Sequence, residues 1–339
     1  MNVQTRQAWQ RFRQHRSGCS CALIFLGIVL LCLAAPLIAN EKPLIIKYQQ
    51  SYYVPMVHEY SEQTFGGIFE TEADYRDPVL QQMIAANGWT LWPLIPYSEN
   101  TVNYALNGTL PAPPQAQNWL GTDDQGRDVL TRILYAFRHA LLFSFALTLV
   151  SALIGITVGA VQGYFAGWID LLGQRILEVW SGLPMLFMLM ILVSVFTPNI
   201  YWLFLLMCFF AWTSLVDIVR AEFLRARQLD YVMAARAIGA SHVRIIFQHI
   251  LPNVMQSSLS QLPFMLTANI TALTALDFLG YGLPADYASI GELLLQAKNH
   301  LDAPWLGLSV FLSLAIVLAL LIYIGEALRD AFHPQQRMF

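Results

Sequence analysis

The chain has 339 residues, of which 56% are hydrophobic and only 12% charged, whereas soluble domains average roughly 45 to 50% apolar and about 25% charged. That balance excludes a soluble globular domain and predicts a multispanning membrane protein. A formal net charge of -3 gives no argument for nucleic acid, and the four cysteines (Cys19, Cys21, Cys32, Cys208), all at or inside apolar segments, exclude a disulfide framework.

Residues 1–21 hold Arg6, Arg11, Arg13 and Arg16 and no acid, which predicts a cytoplasmic N-terminal tail by the positive-inside rule. Residues 22–39 form an apolar run of bilayer-spanning length. The basic front resembles a signal peptide, but Pro36, Leu37 and Ile38 stand where a small-residue cleavage site would be, so the run reads as an uncleaved first span. Residues 40–138 then form a long periplasmic loop, of which residues 40–117 are polar, aromatic and punctuated by prolines, with no strong period, and read as an irregular extension. Near its end Thr122 and Gln125 have the form of a capping box, and Asp123 and Asp124 suit a helix N-terminus. Val129, Ile133, Leu134 and Phe137 share one face and predict an amphipathic helix in the outer interface. Asp123, Asp124 and Asp128 lack the closing Glu of a calcium loop, and no metal site is expected.

Residues 139–325 read as the permeation core, with five further spans. The second, His139 to Tyr164, carries Ser151, Gly155, Gly159 and Gly163 at intervals of four, a packing seam where helix backbones approach closely. After a bend at Gly167 to Asp170, the third runs from Ile176 to Phe196 and is broken by Pro184; Glu178 lies within reach of Arg175. The fourth is Tyr201 to Val219. The fifth, Ser257 to Leu279, places Ser260, Thr267, Thr271 and Thr274 on one stripe, which lines a passage for a polar solute or bonds neighbouring helices. The sixth is Trp305 to Ile324, and residues 326–339 form a cytoplasmic tail. The result is an all-α polytopic membrane protein of six transmembrane helices with both termini in the cytoplasm.

Between the fourth and fifth spans lies the polar, arginine-bearing stretch 229–253. Tyr231 to Ile238 has helical spacing, Gly239 ends that helix, Ser241 caps a second, and Pro252 stops it. This helix pair on the cytoplasmic face has a shape suited to being gripped by another protein.

No G-x-x-x-x-G-K-[ST] loop, no Ser-His-Asp or Cys-His arrangement within a span and no H-E-x-x-H pair is present, so nucleotide binding by the usual loop and catalysis are not supported. The spans hold few acids, and those near their ends, unlike a proton-coupled carrier. What remains is a pathway-forming subunit energised from elsewhere. The alternatives are a self-contained secondary transporter or channel, and an intramembrane enzyme using Glu178 or Asp277.

The stretch Asp230-Tyr-Val-Met-Ala-Ala-Arg-Ala-Ile-Gly239, with His249-Ile-Leu-Pro252-Asn253, resembles the EAA loop of permease subunits of ATP-binding cassette importers, and more narrowly the dipeptide and oligopeptide permease family. Leu120-Gly-Thr-Asp-Asp-Gln-Gly-Arg-Asp128, Gly163-Tyr-Phe-Ala-Gly-Trp-Ile-Asp170, Leu276-Asp-Phe-Leu-Gly280 and Gly325-Glu-Ala-Leu-Arg-Asp330 resemble that family in order. Within it the residues look most like the Yej-type branch, whose cargo includes peptides and the antibiotic microcin C. The resemblance implies a type I importer permease fold in the bacterial inner membrane. It also implies a second homologous permease as heterodimer partner, an ATPase with two nucleotide-binding domains that holds the ATP and Mg, and a periplasmic peptide-binding protein. No cofactor is implied on this chain. The ATPase would be met by Asp230, Tyr231, Ala234, Ala235, Arg236, Gly239, His249 and Pro252, with Tyr231, Val232, Ala235 and Ile238 as the apolar docking face and Arg236 meeting acids on the partner. Met233 stands where the motif has its glutamate.

Overall fold

The computed structural model describes residues 3–104, 106, 109–195 and 199–332, with side chains from residue 8 onward. Phe196, the expected end of the third span, and the last residues of the tail, 333–339, lie outside the described residues.

In chain order, α1 (Val3–Gln14) precedes α2 (Arg16–Leu33), which is followed by strands β1 (Ile45–Tyr48) and β2 (Ser51–Tyr53), α3 (Pro78–Asn87) and β3 (Gly88–Leu91). The long helices follow: α4 (Val129–Phe165), α5 (Gly167–Ser181) with α6 (Met185–Val195), and α7 (Ile200–Ala226). Then come α8 (Asp230–Ala237), α9 (His242–Phe278), α10 (Ile290–Asn299) and α11 (Pro304–Phe332). By length and apolarity α2, α4, α7, α9 and α11 can each cross a membrane, and α5 with α6, bent by 75° at the break before Pro184, brings the number to six among the described residues.

Two compact units divide the chain: Met1–Gly27, Ala140–Pro284 and Leu312–Phe339 form one, Ile28–His139 and Ala285–Phe311 the other. The second unit corrects the reading of residues 40–117 as irregular. β1 is the central strand of a three-stranded antiparallel sheet of order β2-β1-β3, with Ile46 opposite Tyr53 on one side and Thr90 on the other. Alternation puts Ile46 and Tyr48 on the inner face, where they join Phe65, Tyr75, Leu80 and Ile84 in a small core. Phe65 is met edge-on by Tyr48, Tyr53 and Tyr75 at centroid distances of 5.2 to 5.8 Å. α3 starts on Asp77, whose Oδ1 accepts from Val79 N at 3.0 Å, followed by Pro78 in the first turn.

The expected capping box also needs correction. Thr122 Oγ1 accepts from Ala112 N and caps nothing, and Asp123 Oδ1 closes a turn by accepting from Gln125 N and Arg127 N, each at 2.9 Å. The cap of α4 is Asp128, whose Oδ2 accepts from Thr131 N at 2.8 Å. No separate amphipathic helix follows: Val129 begins a continuous helix of 37 residues, because Ile133 and Phe137 pack inward and nothing between them and the span breaks the backbone hydrogen bonding.

A charged network fills the same unit. Arg132, fully buried, donates to Glu99 O at 3.0 Å and to Glu292 Oε2 at 2.5 Å; Arg127 bonds Asp123 at 2.7 Å and Glu292 at 3.0 Å. Glu99 accepts from Ala288 N at 2.7 Å and meets His139 Nε2 at 3.0 Å. Burial by itself raises the Glu99 pKa, but His139 and the Ala288 N–H outweigh it and hold the carboxyl below its ordinary value.

In the other unit, α4 and α7 meet along the small-residue stripe. Ser151 Oγ contacts Cys208 Sγ at 3.9 Å, and a Cβ added at Gly155, Gly159 or Gly163 would lie 2.6, 2.7 or 2.6 Å from the carbonyl oxygen of Trp212, Val216 or Arg220 respectively. Both helices advance by four residues per contact, so the two backbones run in register with no room for a side chain. Arg220 then holds Asp170 through both carboxylate oxygens, tying the start of α5 to α7.

Candidate coupling site

α8 is a short helix with one face turned into its own chain. Val232 and Ala235 are buried in a core with Leu215, Val219, Phe223, Ile245, Ile250 and Val254. This reverses part of the expected docking face. The outward residues are Asp230, Tyr231, Met233, Ala234, Arg236, Ala237 and Ile238, the last 86% exposed, while Val232 and Ala235 anchor the helix, since positions three apart fall on one side of an eight-residue helix. Val243 and Phe247 continue the exposed apolar surface onto the start of α9.

The turn after α8 is a Schellman closure: Gly239 N donates to Arg236 O at 3.0 Å and Ala240 N to Ala235 O at 3.1 Å. Gly239 has φ +83° with nothing within 4 Å of an added Cβ, so backbone conformation and not space calls for glycine there. Ser241 then caps α9 by accepting from Arg244 N at 3.4 Å.

Pro252 does not stop this helix. α9 continues to Phe278, and residues Ile245–Ile250 widen into a π turn in which Leu251 N reaches Ile246 O. The cause is local: proline has no N–H for the carbonyl four residues back and its ring crowds that carbonyl, so the wider turn lets the helix pass. His249 lies in the π turn; Asn253 Nδ2 donates to its carbonyl at 3.3 Å and to Tyr231 Oη at 3.2 Å, joining α8 to α9.

Arg236 is in no ion pair among the described residues; its guanidinium sits 5.5 Å from the centre of the Tyr164 ring. Tyr164, buried at the end of the α4 seam, shares a 2.8 Å hydrogen bond between its hydroxyl and His242 Nδ1, and its carbonyl accepts from Arg227 at 3.1 Å. The sequence reading missed Tyr164, Arg227 and His242. The one signal was that Tyr164 directly follows the last glycine of the seam.

The hydroxyl stripe of α9 divides by environment. Ser260 and Thr274 are buried within the chain, Thr267 is half-buried and Thr271 exposed. Ser260, Thr267 and Thr271 donate to carbonyls of their own helix at 2.8 to 2.9 Å. Beside them Asn269, not singled out from the sequence, donates to Thr148 of α4 at 2.9 Å. The two acids that an intramembrane enzyme would use are engaged: Glu178, well exposed, pairs with Arg175 at 2.5 Å, and Asp277 accepts from Leu283 N at 2.6 Å. Cys19 and Cys21 are free thiols, and no cluster of potential metal ligands occurs among the described residues.

Residues 151–338 match the family model described as the binding-protein-dependent transport system inner membrane component. The chain belongs to that family. Residues 4–60 match the N-terminal transmembrane domain of oligopeptide transport permease C. The permease is 53% identical to the inner membrane ABC transporter permease protein YejE of Escherichia coli, over 97% of this chain and 96% of the relative. It is 45% identical to the peptidoglycan transport system permease protein YejE of Agrobacterium fabrum, over 98% and 93%. It is 35% identical to the dipeptide transport system permease protein DppC of Bacillus subtilis, over 66% and 71%. A permease of this kind is a multi-pass inner membrane transport subunit and not an enzyme, and it works with an ATPase and further subunits.

Proposed function

We propose that this permease forms part of the membrane pathway of an ATP-driven importer that carries peptides from periplasm to cytoplasm, with the ATPase gripping residues 229–253. The observation that carries the reading is the two-sided α8: Val232 and Ala235 fix it to the core while Tyr231, Met233, Ala234 and Ile238 face outward. A helix rigidly joined to α7 and α9 and apolar on its free side transmits a partner's movement to the spans. With Met233 in place of the motif's glutamate, docking rests on apolar packing and close approach at Ala234.

The remaining parts of the reading follow. A second homologous permease completes a heterodimer, an ATPase with two nucleotide-binding domains holds ATP and Mg, and a periplasmic binding protein delivers cargo. Both termini face the cytoplasm. Thr267 and Thr271, the less buried members of the stripe, offer hydroxyls to a passage completed by the second permease, while Ser260 and Thr274 serve packing. The names of the relatives from Agrobacterium fabrum and Bacillus subtilis support short peptides as cargo, free or attached to cell-wall fragments; a peptide antibiotic such as microcin C falls in the same class.

The test is a cysteine at Ile238 in a variant whose four native cysteines are replaced. It is expected to cross-link to the ATPase subunit in isolated membranes, in a pattern that changes with ATP. No cross-link under either condition, with the complex intact, would overturn the coupling role.

A further inference from the structure

The stretch before the first span is folded. α1 buries Ala8 and Phe12, four residues apart, and Phe12 packs on Ala327 and Ala331 of α11, joined by Ala22 and Leu328. Gly18 allows the approach, since a Cβ there would lie 2.3 Å from Ala327 Cβ. The end of α1 is therefore held against the end of a span and is separated from α2 by the single residue His15, whose Nδ1 accepts from Gly18 N at 3.2 Å. An element one residue from one span and packed on the end of another lies at the membrane boundary.

What it presents there is uniformly basic. Arg11 and Arg13 in its last turn and Arg16 at the head of α2 are exposed, none is in an ion pair among the described residues, and residues 1–40 contain no acid. Arg16 at a helix N-terminus meets the unfavourable end of the helix dipole, which an external anion relieves. Trp9, 52% exposed, stacks on Phe12 at 5.5 Å and flanks the buried stripe beside Arg13, as an aromatic residue at headgroup depth does.

We propose that α1 and the head of α2 form a binding surface for anionic phospholipid headgroups, which clamp the N-terminal helix to the end of α11. The headgroup phosphates supply the counter-charge for Arg11, Arg13 and Arg16, none of which is in an ion pair among the described residues, and the Trp9 ring enters the acyl boundary. This does not depend on the identity of the cargo.

The experiment places the assembled complex in nanodiscs of phosphatidylcholine into which phosphatidylglycerol is titrated, and follows amide hydrogen exchange of residues 8–14. Protection is expected to rise with phosphatidylglycerol and to weaken at high salt. Each arginine removed is expected to reduce the response about 5-fold, so the triple variant Arg11→Gln, Arg13→Gln, Arg16→Gln should lose most of it. These side chains are exposed, so unchanged exchange in residues 320–332 of the variant shows that the helix pair still forms. Protection indifferent to phosphatidylglycerol would overturn the proposal. So would protection that vanishes when the ATPase is stripped away at constant lipid, because the basic face would then belong to an acidic partner protein.

Discussion

Single residues divide into those held by space and those held by conformation, and the two kinds respond differently to the same change. Gly159→Ala puts a methyl 2.7 Å from Val216 O and 2.9 Å from Val219 Cβ, so α4 and α7 must part. The expected cost is about 1–3 kcal/mol, typical of overpacking, read as a lower melting temperature of the purified permease. Gly239→Ala meets no atom and loses about 1–2 kcal/mol through its left-handed backbone alone, with Gly239→Asn milder because asparagine tolerates that region. Glu99 gives a pH prediction. Its folded pKa lies below its unfolded value, so its contribution to stability is present above the unfolded pKa of about 4.3 and is lost as pH falls through the folded one. Glu99→Gln should therefore lower the melting temperature at neutral pH and flatten its fall in acid; an unchanged profile would show that His139 and Ala288 do not hold the carboxylate.

At the scale of elements, the coupling role proposed for residues 229–253 has α8 hand its movement to α9 at the π turn before Pro252. Pro252→Ala restores the missing donor and should relax the turn toward regular helix, leaving stability within about 1 kcal/mol while lowering uptake per ATP hydrolysed. Unchanged coupling would mean that the π turn only accommodates the proline. This scale also shows what the sequence made legible. The seam at Ser151, Gly155, Gly159 and Gly163 was readable because close helix contact needs small residues at a period of four, and that period survives without knowledge of the partner helix. The Gly239 turn was readable for a similar reason: its signal is local. The inward turn of Val232 and Ala235 was not, since an eight-residue apolar pattern does not say whether its face meets the same chain or another. The sheet of residues 45–91 was hidden because its strands are 3 or 4 residues long, too short for alternation to stand out among aromatic loop residues. Asp128 was passed over as the cap in favour of Thr122, as both head a plausible first turn and only the contact of Thr122 with Ala112 decides between them.

For the whole molecule, the proposed coupling role gives the two faces of α8 separate tasks: the buried face carries force into the spans and the exposed face receives it. A family that works with an ATPase accounts for a chain with no phosphate loop and with Glu178 and Asp277 already engaged. ATP-driven peptide uptake by proteoliposomes holding the complete importer, with the wild-type chain or Ile238→Glu, tests this most directly. Ile238 is 86% exposed, so the variant should fold and insert normally yet lose uptake and cargo-stimulated ATP hydrolysis together. Full uptake by the Ile238→Glu importer, or uptake by the purified chain alone under an ion gradient without ATP, would contradict it.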